Sequence, residues 1–181
     1  MLDPIDGSRN ACRGIPFYAV SLAVGKHQLS DVEYGIVQNI PTGDVFMAEK
    51  GCGAFVNNQR IITPNAPGKF IMSCLSLGKN YDETTLALAD QHNVRSLGSA
   101  ALEMCMVALG ALDVYMVGKP YLRVTDIAAA TLIVREAGGL VKDTQGKNLD
   151  MELSLNDRTS VIAACSEEII KCYLPKEKVK N

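Results

Sequence analysis

The segment VTDIAAATLIVREAGG, residues 124–139, constrains the fold of this chain more than any other part of the sequence. Thr125 and Asp126 favour the start of a helix, and Gly138 and Gly139 favour its end. Between these ends, apolar side chains lie on all sides of the predicted helix: Ala128, Ala129, Ala130, Leu132, Ile133, Val134 and Ala137. Because almost no polar face remains, we predict that this helix is buried in the centre of the domain.

Short β-branched and aromatic runs in the first part of the chain predict an antiparallel sheet. The runs are FYAVSLAVG, VEYGIVQNI, DVFMAEKG and GAFVNNQRII, and the turn IPTGD separates the second from the third. The last run predicts a hairpin around Asn57 and Asn58.

Strands and helices mix in the rest of the chain. FIMSCLSL, ALDVYMVG, LVKDTQG and SVIAACS are typical of strands, a short strand precedes SLGS, and DETTLALADQ and EEIIKCYL are typical of helices. Ser99 is the predicted N-cap of a further helix that ends at Gly110. There is no internal repeat or linker, so we predict one domain, residues 1–181, with an α+β fold, a layered α/β sandwich.

Charge and hydropathy exclude several classes of partner. The formal net charge is −2 and the pI is about 5.7, and the basic run KEKVKN is confined to the end of the chain, so we expect no nucleic-acid partner. The longest apolar stretch, AALEMCMVALGAL, is too short and too interrupted to span a bilayer, and the N-terminus has no signal segment. We expect a cytoplasmic protein with no membrane partner.

Cysteine spacing argues against a zinc site or a thiol enzyme. The six cysteines form no C-x-x-C pair, and His27 and His92 do not lie at zinc-site spacing from them. We predict buried free thiols in a reducing compartment. Both histidines lie in segments typical of surface turns, so no base is available to activate a thiol.

Two other binding motifs fail on spacing. GCGAFV lacks the third glycine of a dinucleotide-binding loop, and the chain has no phosphate loop of the G-x-x-x-x-G-K-[ST] type. A calcium-binding EF-hand loop that started at Asp3 would need glycine and glutamate where Ser8 and Gly14 stand.

The segment DPIDGS, residues 3–8, has two interpretations. Proline after aspartate, followed by Asp-Gly, is typical of a turn. Alternatively, Asp3 and Asp6 supply hard oxygen ligands for a metal ion, and Gly7 lets backbone N–H groups approach an anion. The six residues alone leave both interpretations open.

Asp126 favours the metal interpretation. An acid in the first turn of a helix often serves as a cap, but Thr125 is already available for that role. A carboxylate at the head of a buried helix is costly unless a cation pairs with it, and a divalent ion would do so. We therefore predict that Asp3, Asp6 and Asp126 converge on one oxygen-rich magnesium site.

Three sequence blocks, in this order, resemble the inositol monophosphatase family of magnesium-dependent sugar phosphatases, and most closely its archaeal branch with fructose-bisphosphatase activity. The blocks are DPIDGS with Asn10, then GSAALEMCMVALGALD, then TDIAAATLIVREAGG. The EKGCGAFVN hairpin also resembles a glycine-rich segment of the family. The resemblance covers nearly all of the chain and implies the sugar-phosphatase fold.

The resemblance implies a set of magnesium ligands. These are the carboxylates of Asp3, Asp6 and Asp126 and the backbone carbonyl of Ile5. Two metal ions held in this way would lower the pKa of a water molecule and neutralise the leaving alkoxide.

The resemblance also implies how a small phosphorylated sugar or polyol binds. Gly7 and Ser8 would bind phosphate through their amides, and the Ser8 hydroxyl would help to orient the attacking water. The catalytic residues are then Asp3, Asp6 and Ser8. Gly98, Ser99 and Ala100 would hold the sugar ring.

Val117 is a departure from relatives that hydrolyse inositol phosphate. Those relatives have an acid at this place, four residues after the aspartate that corresponds to Asp113. Val117 cannot accept a hydrogen bond from an inositol hydroxyl, whereas Lys119 and Arg123 are close in sequence and could contact a second phosphate. The alternative for these two cations is a solvated loop. We expect fructose 1,6-bisphosphate or a similar sugar phosphate to be preferred over inositol phosphate.

The second departure is at the front of the chain. In the family, two helices and a hairpin with a Gly-Asp/Glu-Glu motif precede DPIDGS, and here only two residues do. We therefore expect an N-terminally truncated fold, weak catalysis, and an apolar sheet face that drives formation of a homodimer. The alternative is a phosphatase-like fragment or assembly subunit without competent chemistry.

Overall fold

The computed structural model describes residues 1–77, 83–89 and 93–174 of the chain. The described part contains two β-sheets and five α-helices. The basic tail KEKVKN and the ends of the segment DETTLALADQ lie outside the described residues. The described residues confirm the predicted layered α+β fold.

The first sheet is an antiparallel meander in chain order. Its strands are β1 Leu2–Asp6, β2 Ala19–Val24, β3 Tyr34–Asn39, β4 Val45–Glu49, β5 Gly53–Val56 and β6 Gln59–Ile61. Asn57 and Asn58 connect the last two strands with φ angles of 49° and 65°. Asparagine tolerates this left-handed region well, so the predicted hairpin is confirmed.

The second sheet is mixed, with the strand order β10-β11-β9-β7-β8. Its strands are β7 Met72–Leu75, β8 Asn93–Arg95, β9 Val114–Arg123, β10 Leu140–Lys142 and β11 Arg158–Ala164. β7 is parallel to both β8 and β9, and β11 is antiparallel to β9 and β10.

The helices make up the remaining layers. They are α1 Ser8–Arg13, α2 Glu83–Ala89, α3 Ala100–Leu109, α4 Val124–Glu136 and α5 Glu167–Tyr173, with a short 3-10 helix at Leu29–Asp31. α3 and α4 contact each other and both sheets, so they form the middle layer. α2 contacts β9 and α5 contacts β11. The apolar side chains of α2 and α5 pack in a separate core against the second sheet.

Helix α4 is enclosed, as its sequence predicts. Every residue from Val124 to Val134 is buried. Its first residue follows β9 directly, so the N-cap is Arg123, and the expectation that Thr125 caps this helix is wrong. The Asp126 carboxylate closes the first turn, because its Oδ2 accepts a hydrogen bond from the Arg123 backbone N–H at 3.0 Å.

Strand β9 contributes side chains to two hydrophobic cores, because its side chains alternate between the faces of the sheet. Tyr115 and Val117 are buried on the side of α3 and α4. Val114 and Met116 are buried on the opposite side, with α5. Burial on both faces explains why the first four residues of this strand, Val114 to Val117, are all apolar.

The structure differs from the sequence expectations at the start of the chain and at three cysteines. DPIDGS is not a simple turn: its first residues belong to β1, Gly7 adopts a left-handed conformation, and α1 follows.

All six cysteines are free, but only three are buried, so the prediction of buried thiols is wrong for Cys12, Cys52 and Cys172. The reason is that these three lie on α1, a turn and the outer side of α5, which face water.

In the described part of the chain, no helix is long and apolar enough to cross a membrane.

The outer face of the first sheet carries a row of exposed apolar side chains. Leu2 pairs with Leu22, Leu22 with Ile36, and Ile36 with Met47, so the four lie side by side across β1 to β4. Each is at least 36% exposed. The sequence predicts an apolar patch on these strands, and the structure places it here.

The inner face of the same sheet carries a stripe of small residues. Gly35 pairs with Ala23 and Ala48, and α4 lies directly on this stripe. A Cβ atom at position 35 would lie 2.8 Å from the backbone oxygen of Ala129. The separation between helix and sheet therefore depends on a missing side chain.

We predict that Gly35→Ala destabilises the protein by about 1–3 kcal/mol, because an added methyl group has to displace the α4 backbone. Urea unfolding measures the change. Gly68→Ala is the matched control, since its added Cβ would meet nothing closer than 4.0 Å. Equal stabilities of the two variants would contradict the proposed contact.

Candidate functional site

A cleft of about 650 Å³ opens where the two sheets and the middle helices meet. Residues 5–10 of the β1–α1 junction form one wall, and Gly98, Ala100 and Glu103 form another. The end of β9, the start of α4 and Arg158 of β11 also line the cleft. All three sequence blocks that suggested a phosphatase reach this cleft.

Asp3 and Asp126 are joined by one guanidinium group. Nη2 of Arg123 lies 2.9 Å from Oδ2 of Asp3 and 2.8 Å from Oδ1 of Asp126. Nε of Arg123 also donates to Oδ1 of Asp126 at 3.0 Å. The cation that a buried Asp126 requires is thus supplied by the protein itself.

The pKa values of these groups reflect their close packing. Burial raises the pKa of the Asp3 carboxyl, and a hydrogen bond with Asp126 raises it further, while the Ile5 N–H and Arg123 act in the opposite direction. Hydrogen bonding to Asp126 raises the pKa of Arg123. The arrangement concentrates negative charge beside a single positive group.

Asp6 lies deeper and is held by the start of α3. Its Oδ2 accepts hydrogen bonds from the Ser99 hydroxyl at 2.7 Å and from the Ala101 N–H at 2.8 Å. Burial raises the pKa of Asp6 to about 7, although both hydrogen bonds lower it; the charges of Asp126 and Asp3 add to the rise. Asp6 is therefore an acid whose charge is poorly compensated by the protein around it.

Gly7 lets the β1–α1 junction approach the loop before α3. Its φ of 87° is left-handed, and a Cβ there would lie 3.0 Å from the Phe17 oxygen and 3.2 Å from the Gly98 oxygen. The Asn10 side chain fastens the same contact, because its Nδ2 donates to the Phe17 oxygen at 2.8 Å and to the Leu97 oxygen at 2.7 Å. The first and second sequence blocks are thus tied together by one amide group.

Glu103 fixes the other side of this loop and was not identified from the sequence. Its Oε1 accepts hydrogen bonds from the Leu97 N–H at 2.6 Å, the Gly98 N–H at 3.1 Å and the Cys74 thiol at 2.9 Å. Burial raises the pKa of Glu103. A lone acid in the otherwise apolar run AALEMCMVAL was the available signal, because such a residue needs buried donors.

Most of the sequence-predicted residues lie at the cleft. Ile5, Asp6, Gly7, Ser8, Gly98, Ala100, Arg123 and Asp126 line it. Asp3 lies behind the Arg123 guanidinium, and the buried Ser99 hydroxyl is directed at Asp6. Lys119 is exposed on β9 and does not belong to the lining.

The cleft also contains two arginines that the sequence analysis did not identify. Arg9 and Arg158 belong to its lining. Arg158 pairs with Arg123 across β11 and β9, a register that no local sequence pattern reveals. Val117 is 1% exposed and packs in the core, so its side chain does not face a ligand.

The donor set fits a divalent cation. Asp3, Asp6 and Asp126 provide carboxylate oxygens, which Mg²⁺ prefers, and a cation would relieve the raised pKa values of Asp3 and Asp6. Within residues 1–77, 83–89 and 93–174, however, no three such side chains are arranged as a set that could hold a metal ion. A single site shared by all three acids stays a prediction.

Comparison with known proteins agrees with this geometry. The sequence matches the inositol monophosphatase family over residues 1–177. The chain belongs to the inositol monophosphatase family. It is 41% identical to a fructose-1,6-bisphosphatase of Pyrococcus furiosus, a match that covers 96% of this chain and 66% of that protein.

Two further relatives agree with the family assignment. A fructose-1,6-bisphosphatase/inositol-1-monophosphatase of Methanothermobacter thermautotrophicus is 39% identical over 93% of this chain and 64% of its own length. A solved protein of Pyrococcus horikoshii, described as having similarities to inositol-1 monophosphatase, superimposes with a TM-score of 0.84 at 34% identity. That match covers 99% of this chain and 69% of the solved one. The chain spans about two thirds of the length of the curated relatives it matches.

We predict that the metal-free protein becomes less stable as the pH rises from 5 to 7. The folded protein keeps a proton on Asp6, whose pKa is about 7, whereas the unfolded chain has lost it above about pH 4. The folded state therefore binds more protons in this range, and its free energy of unfolding falls by up to about 1.4 kcal/mol per pH unit. Urea unfolding in EDTA at several pH values measures the slope.

Asp6→Asn should remove this part of the pH dependence, since an amide keeps an acceptor oxygen for Ser99 and does not titrate. Asp157→Asn, at an exposed position, is the control and should leave the slope unchanged. A slope in Asp6→Asn equal to that of the parent protein would show that Asp6 is not the titrating group.

Proposed function

We propose that this protein is a phosphatase that hydrolyses the phosphate monoester of a small sugar or polyol with the help of Mg²⁺. The observation that carries the proposal is the pairing of Asp3 and Asp126 around one cationic group, beside the buried Asp6, at a cleft of ligand size. Of two curated relatives that match nearly the whole chain, one is named a fructose-1,6-bisphosphatase and the other a fructose-1,6-bisphosphatase/inositol-1-monophosphatase.

Magnesium binding in this proposal uses the carboxylates of Asp3, Asp6 and Asp126 and the carbonyl of Ile5. Each of the first three is buried and already oriented by a hydrogen bond. When bound, the metal supplies a water molecule of lowered pKa and neutralises charge on the phosphate and the leaving oxygen.

The phosphate of the substrate is held at the β1–α1 junction. The amides of Gly7 and Ser8 lie where a left-handed residue turns the chain into α1, and the first N–H groups of a helix have no acceptor within it. The exposed Ser8 hydroxyl orients the attacking water. Gly98 and Ala100 form the opposite wall, against which the sugar ring packs.

The positive charge of the cleft favours a substrate with two phosphates. Arg9, Arg123 and Arg158 all belong to its lining, and guanidinium groups bind phosphate in a bidentate manner. Position 117 is a valine and its side chain is buried, so the cleft has no acid there to accept a hydrogen bond from an inositol hydroxyl. We therefore propose fructose 1,6-bisphosphate as a better substrate than inositol monophosphate, with Arg158 rather than Lys119 as a contact for the second phosphate.

We predict that Asp126→Asn lowers Mg²⁺-dependent phosphate release by about 10²-fold or more, since an amide binds Mg²⁺ more weakly than a carboxylate does. Release of phosphate from fructose 1,6-bisphosphate, measured with Mg²⁺ and with EDTA, gives the rate. Glu168→Gln, on the exposed side of α5, is the control and should keep the parent rate. Release that continues in EDTA would contradict a metal-dependent reaction.

We predict that Arg158→Ala raises KM for fructose 1,6-bisphosphate about tenfold and leaves KM for inositol 1-phosphate within twofold. The loss corresponds to one charge-assisted hydrogen bond to the second phosphate. Lys119→Ala is the matched control and should change neither KM. Equal effects of Arg158→Ala on the two substrates would mean that this residue does not distinguish them.

The exposed apolar row on the first sheet favours a second candidate function, that of an assembly subunit. Leu2, Leu22, Ile36 and Met47 offer a flat surface to another protein. A protein that binds Mg²⁺ but releases no phosphate from either substrate would support this alternative. A homodimer and a cytoplasmic location stay predictions.

A further inference from the structure

Arg123 occupies the space between the two carboxylates that the proposed function assigns to magnesium. Its Nη2 is within 2.9 Å of an oxygen of Asp3 and an oxygen of Asp126. A magnesium ion bound to both oxygens at about 2.0–2.1 Å would lie in the space that Nη2 fills. Two cations so close together also repel each other.

We propose that Arg123 is an intramolecular competitor of the divalent cation: its guanidinium and the metal bind Asp3 and Asp126 in turn, and metal binding releases Arg123 into the cleft. This inference rests on the proposed function for the identity of the metal. It assigns Arg123 a role in setting metal affinity that is separate from contact with a substrate phosphate.

The two carboxylates do not depend on Arg123 for their orientation. Oδ1 of Asp3 accepts a hydrogen bond from the Ile5 N–H at 3.1 Å, and Oδ2 of Asp126 accepts one from the Arg123 backbone N–H at 3.0 Å. Each acid is therefore fixed through one oxygen by the backbone, and the other oxygen faces the guanidinium. When the guanidinium leaves, Oδ1 of Asp126 still accepts a hydrogen bond from the Thr125 hydroxyl at 3.2 Å, and the two oxygens that faced the guanidinium stay in place for a metal ion.

The Arg123 side chain can leave without any change in the backbone. It is 48% exposed, and it lines the cleft together with Arg158, its partner across the sheet. The Arg123 backbone is fixed between β9 and α4, so rotation about side-chain bonds is the only movement required. After release, the guanidinium remains in the cleft and faces the space of the substrate.

Removal of the competitor should increase metal affinity. We predict that Arg123→Ala lowers the dissociation constant for Mg²⁺, measured by calorimetry on the full chain, by about tenfold, because Nη2 then no longer pairs with the oxygens of Asp3 and Asp126 that the metal needs. Arg158→Ala also removes a positive charge from the cleft but breaks no ion pair with Asp3 or Asp126, and its dissociation constant should stay within twofold. Equal increases in affinity in both variants, or weaker binding in Arg123→Ala, would overturn the proposal.

A second measurement uses the parent protein and needs no loss of the side chain. The Nε–H signal of Arg123, identified in an NMR spectrum by its absence in Arg123→Lys, should shift as Mg²⁺ is added, with the same midpoint as the calorimetric titration. A signal that does not move while Mg²⁺ binds would overturn the proposal. So would a lack of Mg²⁺ binding in both the parent protein and Arg123→Ala.

Failure of this inference and failure of the proposed function give different results. If Mg²⁺ shifts the Arg123 signal but neither sugar phosphate is hydrolysed, the competition is supported and the phosphatase proposal fails. If phosphate is released in a Mg²⁺-dependent reaction while the Arg123 signal stays unchanged, the phosphatase proposal is supported and the competition is overturned.

Discussion

The burial of helix α4 on every side organises this molecule. A helix without a polar face needs apolar partners all around it, and here α3 and the two sheets provide them. The first turn of the helix nevertheless contains Asp126, so a charged group lies at the N-terminal end of this buried helix. The core and the candidate site are therefore not independent: the same helix fills the centre of the domain and delivers an acid to the cleft.

Much of the fold could be predicted from the sequence because its signals are local. The caps of α3, the apolar run of α4 and the Asn57–Asn58 hairpin each depend on a few neighbouring residues. The strand β1 and the short helix α1 were missed, because Pro4 and Gly7 are typical of turns. Only pairing with β2 makes the first of these segments a strand.

The candidate site was only partly predictable. Acids in a turn and at a helix start have recognisable spacing, and so Asp3, Asp6 and Asp126 were found. The partner of a charge is often decided by tertiary contacts: the ion pair of Arg123 with Asp3, and the hydrogen bond from the Cys74 thiol to Glu103, join segments that are distant in sequence. The position of Arg158 in the cleft depends on the register between β11 and β9, which pairs it with Arg123. Lys119 is nearer to Arg123 in sequence, yet it lies outside the lining of the cleft.

The hydrogen bonds of Asn10 have a consequence for how the cleft recognises a ligand. One amide joins the β1–α1 junction to the backbone at Phe17 and Leu97, and Gly7 packs closely against Gly98 where the two walls meet. Because the two walls are hydrogen-bonded to each other, they cannot close over a ligand in the way that hinged lobes close. Discrimination between ligands then has to come from the fixed outline of the cleft and from side chains, such as the arginines, that change rotamer within it.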